Sequence, residues 1–258
     1  MPQTHKFRRL RLFNAVMSVL HLLQAVAVLV LSNDFALPVT TSFLTYVEAT
    51  GRLEPVKETL INLRIGPMVA VFLLLSALAH FVLASPRGYL WYVRNLKKKI
   101  NYLRWYEYAF SASLMIVVIG MLSGIYDLGA LILLFALNAT MLLFGLLMEL
   151  HNQATERTNW TAYIYGCIAG IVPWVVIAIY FYGSLSTATD AVPTFVYYIL
   201  VSLFVFFFLG FGLNMFLQYK KVGPWRDYLF GEKVYIVLSL VAKSALAWQV
   251  FSGTLRPV

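Results

Sequence analysis

Two ionisable side chains lie where the surrounding composition should exclude them. Lys243 sits in the middle of Val234–Phe251 (VYIVLSLVAKSALAWQVF), and Glu107 lies near the start of another apolar stretch. An ammonium at mid-bilayer costs roughly 2.5–3.5 kcal/mol even on the lenient insertion scale, so it marks a functional site with a partner to be named. Glu107 is that partner, being the carboxylate nearest the interior of a different stretch. A membrane lysine that can shed its charge is also an amine able to form a Schiff base with a carbonyl compound. The plain alternative is an ion pair that only orients helices, although such buried pairs rarely add net stability.

Further polar residues come in pairs three or four apart: His21 and Gln24, Ser76 and His80, Glu107 and Ser111, Ser239 and Lys243. That spacing puts both members on one helix face, turned away from lipid. For His21 and His80 a satisfied polar contact inside a bundle competes with a proton-accepting role. Glu149, closing its stretch, reads as a helix-end charge at the surface. Lone Cys167 excludes an intrachain disulfide and reads as a packing residue. No metal site is read.

The elements that must position these groups follow from composition. The chain has 258 residues, 61% of them apolar and 12% charged, against about 25% charged in soluble domains. Seven apolar stretches stand out: Phe13–Ser32, Ile65–Ser85, Trp105–Tyr126, Leu128–Leu150, Thr161–Tyr182, Pro193–Tyr219 and Val234–Phe251. Each is near the ~20 residues that cross a bilayer. The expected fold is an all-α membrane protein, a seven-transmembrane-helix bundle forming a single domain over residues 1–258. The first stretch is too long for a signal-peptide core and lacks a cleavage site, so it is expected to be retained.

Lys and Arg distribution sets the orientation. Fifteen fall on the side of the N-terminus and four on the other, with Lys243 completing the 20. The N-terminus is therefore expected in the cytoplasm and the C-terminus outside, in a plasma membrane. The net charge of +9 and the LKKK run at Leu96–Lys99 are explained by this topology rather than by nucleic acid, with a minor role against anionic lipid. On this orientation Lys243, His21, His80 and Glu107 all lie in the cytoplasmic half, at depths of roughly 3–13 Å, and the outer half has no comparable carboxylate.

Only Asn33–Arg64, on the outside, is a long connection. Within it Thr40–Glu48 and Leu53–Leu60 read as a small external β-hairpin between the first two helices. Gly120-x-x-x-Gly124 and Gly166-x-x-x-Gly170 permit close helix approach, within or between subunits. Aromatics crowd the fifth and sixth stretches, among them Trp174, Tyr180, Tyr197, Tyr198, Phe204 and Phe206–Phe208. Most are expected to face lipid, and a minority to line a slot beside Lys243. Pro173 is expected to kink its helix next to that slot.

Several segments carry a family resemblance: Ser239–Gln249 (SLVAKSALAWQ), Phe251–Leu255 (FSGTL), Gly166–Trp174 (GCIAGIVPW), Arg104–Tyr108 (RWYEY), His21–Gln24 (HLLQ) and Asn33–Pro38 (NDFALP). With seven spans and a lysine in the last, the chain resembles the heliorhodopsins, inverted relatives of the other microbial rhodopsins. The resemblance implies that Lys243 carries all-trans retinal as a protonated Schiff base, with Glu107 as counterion. Ser239 stands where ion-pumping relatives carry a second aspartate. Tyr108, Ser111, Met115 and Asn138 would contact or flank the chromophore, and Ala112 replaces a serine common in the family. His21, His80, Gln24 and Ser76 would form a polar cavity that accepts the Schiff-base proton. The implied function is a slow light sensor, not an enzyme, working as a homodimer in the lipid bilayer with a cytoplasmic signalling partner. A light-gated or light-driven channel or transporter is the alternative.

Overall fold

The computed structural model describes residues 2–186, 198, 201–202, 204 and 210–255. In chain order these are α1 (Pro2–Leu31), β1 (Ala36–Val47), β2 (Arg52–Arg64), α2 (Ile65–Ala84), α3 (Pro86–Lys97), α4 (Tyr102–Leu122), α5 (Leu128–His151), α6 (Thr161–Ser186), α7 (Phe211–Lys220) and α8 (Tyr228–Val250). A short 3₁₀ turn, Gly223–Arg226, precedes α8, and a π turn, Phe251–Leu255, extends it. Among the described residues six helices are long and apolar enough to cross a membrane. About half of the expected sixth segment, Pro193–Tyr219, lies outside the described residues, Tyr197 and Phe206–Phe208 included.

Helix boundaries are written in local chemistry. Asn101, Asp127 and Asp227 cap α4, α5 and α8, their side chains accepting from the N–H groups of Arg104, Ala130 and Leu229. Each satisfies a donor that the first helical turn leaves free. Partial burial pushes the Asp227 carboxyl up, but the hydrogen bonds from Lys6 (2.7 Å) and the Leu229 N–H outweigh it and hold it below its usual range. Helix α3 lies in a connection where only a loop is expected. Its twelve residues are too short to span, yet Ser85 caps it and Pro86 occupies its first position, the favoured start. Its Tyr92, Asn95 and Leu96 turn inward while Leu90 and Trp91 stay exposed.

The hairpin expected between the first two helices is present and longer than expected. Strands β1 and β2 pair antiparallel from Ala36↔Arg64 to Val47↔Arg52, with a bulge between Val39 and Thr40. Gly51, at φ +64°, closes its turn in the left-handed region that glycine enters without strain. The hairpin is tied down at its base. The Thr40 N–H donates to the Tyr126 carbonyl at 2.8 Å, and the Asn33 N–H to Leu255 at 2.8 Å. The hairpin, the α4–α5 connection and the end of α8 thus share one end of the bundle. The N-terminal part of α1 meets the other, where Arg11 Nε donates to the Ala84 carbonyl at 2.8 Å.

Small residues bring helices of the same chain together. A methyl group on Gly120 would meet Leu134 of α5 at 2.9 Å, and one on Gly166 would meet Phe144 of α5 at 3.1 Å. Gly120 and Gly166 therefore serve intrachain packing. Pro173 is buried inside the continuous α6.

Candidate functional site

Three helices bring their polar faces together around one amine. Lys243 Nζ of α8 lies 2.7 Å from Glu107 Oε1 of α4, with the two side chains 3% and 7% exposed. Ser76 of α2 completes the group: its Oγ donates to Glu107 Oε1 at 2.6 Å and accepts from Lys243 Nζ. Charge-assisted hydrogen bonds of this kind are roughly twice as strong as neutral ones, which lets a charged pair persist in an apolar bundle. Lys243 Nζ also sits 5.1 Å above the Tyr108 ring. Ser111 is buried next to Glu107.

The two histidines are together, as their spacing suggested. His21 and His80 stack with ring centroids 5.6 Å apart and planes 6° from parallel. Asn14 Nδ2 donates to the Leu10 carbonyl, so its Oδ1 faces His80 Nδ1 at 2.7 Å. That amide orientation makes Nδ1 the donor and leaves His80 Nε2 as the free acceptor. Asn14 was not singled out from sequence, although Ser18 and His21, four and seven residues on, share its face of α1. Gln24 behaves differently from expectation. It is half-buried, and its Oε1 accepts from Trp248 Nε1 at 3.1 Å, a contact with α8 rather than with the histidines. A small cavity lined by Asn14, His80, Arg104, Glu107, Tyr108 and Glu232 lies between the counterion candidate and the Arg104–Glu232 pair.

A narrow cleft runs from Lys243 along Ala242 and Ser239, between Tyr108, Met115 and Asn138. Met141, Leu142 and Phe211 continue it into a half-open space of about 350 Å³ lined by Trp105, Gly145, Gly166 and Cys167. The walls are apolar and aromatic, and an amine stands at one end. This donor set fits a long polyene aldehyde held by an imine bond. Gly145 keeps the wider part open. A methyl group there would lie 2.3 Å from Trp105 Cζ3, and Trp105 is pinned by its Nε1 donating to Glu149 at 2.6 Å. We expect Gly145→Ala to destabilise the protein by about 1–3 kcal/mol through overpacking, read as a lowered melting temperature in detergent.

A second buried centre was missed from sequence. Arg104 of α4 pairs with both Glu149 of α5 and Glu232 of α8. Tyr92 and Asn101 donate to Glu232 at 2.8 and 2.6 Å, while the Trp105 indole and the Tyr228 hydroxyl donate to Glu149. Arg104 lies 4.1 Å above the Tyr235 ring. Glu149 is thus no surface helix-end charge: it is 2% exposed. Arg104 lies inside α4, just ahead of the apolar stretch that begins at Trp105. One signal was legible, since Arg104 and Glu107 are three apart on one helix face. Glu232 was hidden because α8 begins six residues before the apolar run does.

Fold and site together define a multi-span membrane protein with a buried amine–carboxylate pair at the end of an apolar slot. The chain matches the heliorhodopsin family over residues 10–255, and it belongs to that family, whose fold is a seven-helix bundle. It is accordingly a rhodopsin-type light-sensing protein, and the family implies a retinal chromophore. No curated protein matches the chain.

Proposed function

We propose that the protein is a retinal photoreceptor that signals rather than pumps, with Lys243 as the attachment point and Glu107 as its counterion. The buried 2.7 Å contact between Lys243 Nζ and Glu107 Oε1 carries this reading. Bound as an imine, retinal supplies absorption of visible light and a bond whose isomerisation moves the nitrogen. Everything else is the work of this chain. Glu107 and Ser76 offset the positive charge at Lys243 Nζ, which burial would otherwise disfavour. Tyr108, Met115, Asn138 and Ser239 shape the cleft, and Ser111 supports Glu107. Once the nitrogen leaves Glu107, the stacked His21–His80 pair takes the proton, with His80 Nε2 free to receive. Helices α4 and α8 then transmit the change through Arg104 and its two carboxylates to the connections at the N-terminal end.

The same reading places the N-terminus in the cytoplasm of a plasma membrane, as one domain that forms homodimers and meets a cytoplasmic signalling partner. Ion pumping requires proton carriers on both sides of the amine. The carboxylates described beside it, Glu107, Glu149 and Glu232, belong to helix segments on the N-terminal side. Illuminating cells that express the protein is expected to give no sustained pH change. A sustained change that an uncoupler abolishes would establish the transporter alternative instead.

A further inference from the structure

At the N-terminal end of the bundle, the α3–α4, α5–α6 and α7–α8 connections surround a polar basin of about 490 Å³, open to solvent. Lys97, Lys98, Lys99, Lys221 and Arg226 line it, and Glu149 contributes to its floor. Because Glu149 is already paired with Arg104, Glu156 is the one uncompensated carboxylate among its lining residues. The general excess of cations at this end explains their number. It does not explain their convergence on one concavity.

Two further observations concern how the cations are held. Lys99 and Lys221 have φ of 59° and 55°, at chain reversals after α3 and α7. Glycine or asparagine is the usual choice at such positions, and another residue there costs roughly 1–2 kcal/mol. Arg226 Nε donates to the Lys221 carbonyl at 3.2 Å, which fastens the guanidinium to the same rim. The aromatic walls offer few competing polar groups: Trp225 Nε1 donates to Asn214 and the Tyr219 hydroxyl to the Met148 carbonyl. Beside the neutral side chains of Asn152, Gln153, Thr155, Thr158 and Gln218, the charged donors lining the basin are ammonium and guanidinium groups, the chemistry that recognises clustered phosphates.

We propose that this basin binds a polyphosphate group, carried by a soluble molecule or by a multiply phosphorylated lipid headgroup of the adjoining leaflet. The test uses the full chain with its pigment, kept in the dark, in phosphatidylcholine nanodiscs. One arm titrates sodium tripolyphosphate by calorimetry at about 0.1 M salt, enough to screen diffuse attraction beyond roughly 10 Å. The other adds phosphatidylinositol bisphosphate to the discs and counts retained lipid by native mass spectrometry. Saturable one-to-one binding is expected in at least one arm, and the arm that responds identifies the source. Lys98→Gln with Lys221→Asn should weaken it tenfold or more, asparagine being tolerated in left-handed backbone. Arg8→Gln with Arg9→Gln removes equal charge outside the basin and should change binding less than twofold. Absence of saturation in both arms, or equal weakening by the two variants, overturns the proposal. No light response is read, so this experiment fails independently of the role given to Lys243.

Discussion

Lys243→Ala is expected to abolish the visible absorption band that added retinal gives the intact protein. The band requires a protonated nitrogen joined to the polyene, and no other described lysine stands beside the cleft: Lys243 alone lines it. Truncation also strands Glu107, a buried carboxylate that then keeps only neutral hydroxyls, Ser76 and Ser111, beside it. Removing one member of a buried pair typically costs 3–5 kcal/mol, so the single variant risks loss of protein as well as of colour. Combining Lys243→Ala with Glu107→Gln removes the stranded charge and separates the two effects. The double variant should fold, melt closer to the parent and remain colourless with retinal. A visible band in either variant would place the attachment elsewhere.

The second large effect is expected at Arg104, which does not line the cleft beside Lys243. Its guanidinium compensates two carboxylates, Glu149 and Glu232, which are 2% and 1% exposed. Arg104→Met leaves both without their cation in a low-dielectric interior. Loss of about 3–5 kcal/mol of stability should follow, measured as a drop in melting temperature in detergent or as poor recovery of folded protein. Adding Glu149→Gln and Glu232→Gln to that variant should restore much of the loss, since neutral groups of the same shape keep the hydrogen bonds from Tyr92, Asn101 and Trp105. If Arg104→Met melts like the parent, the cluster is not held together by charge compensation.

The contrast between these two centres shows what a sequence reveals about a membrane bundle. Lys243 is conspicuous because a single charge interrupts an apolar window long enough to cross the bilayer, and Glu107 follows as its nearest opposite charge. Ser76, His21 and His80 are legible through their helical spacing. Arg104, Glu149 and Glu232 are harder, because each lies where an apolar segment ends and looks like an ordinary interfacial charge. The helices extend past the apolar windows and meet there, and only tertiary packing turns three end charges into a buried cluster. Helix α3 is hidden for a related reason: twelve amphipathic residues give no span signal, and Ser85-Pro86 was the only start cue. Gln24 shows the converse error, since a polar residue three from His21 sits far enough round the helix to reach Trp248 instead.

The most direct test of Lys243 as the attachment point is chemical. The retinal-loaded protein is reduced with borohydride, which converts the imine to a stable amine, and its peptides are sequenced by mass spectrometry. A retinyl group on Lys243 and on no other lysine is the expected result. A coloured protein whose retinyl group maps to a different residue, or to none, would contradict the account.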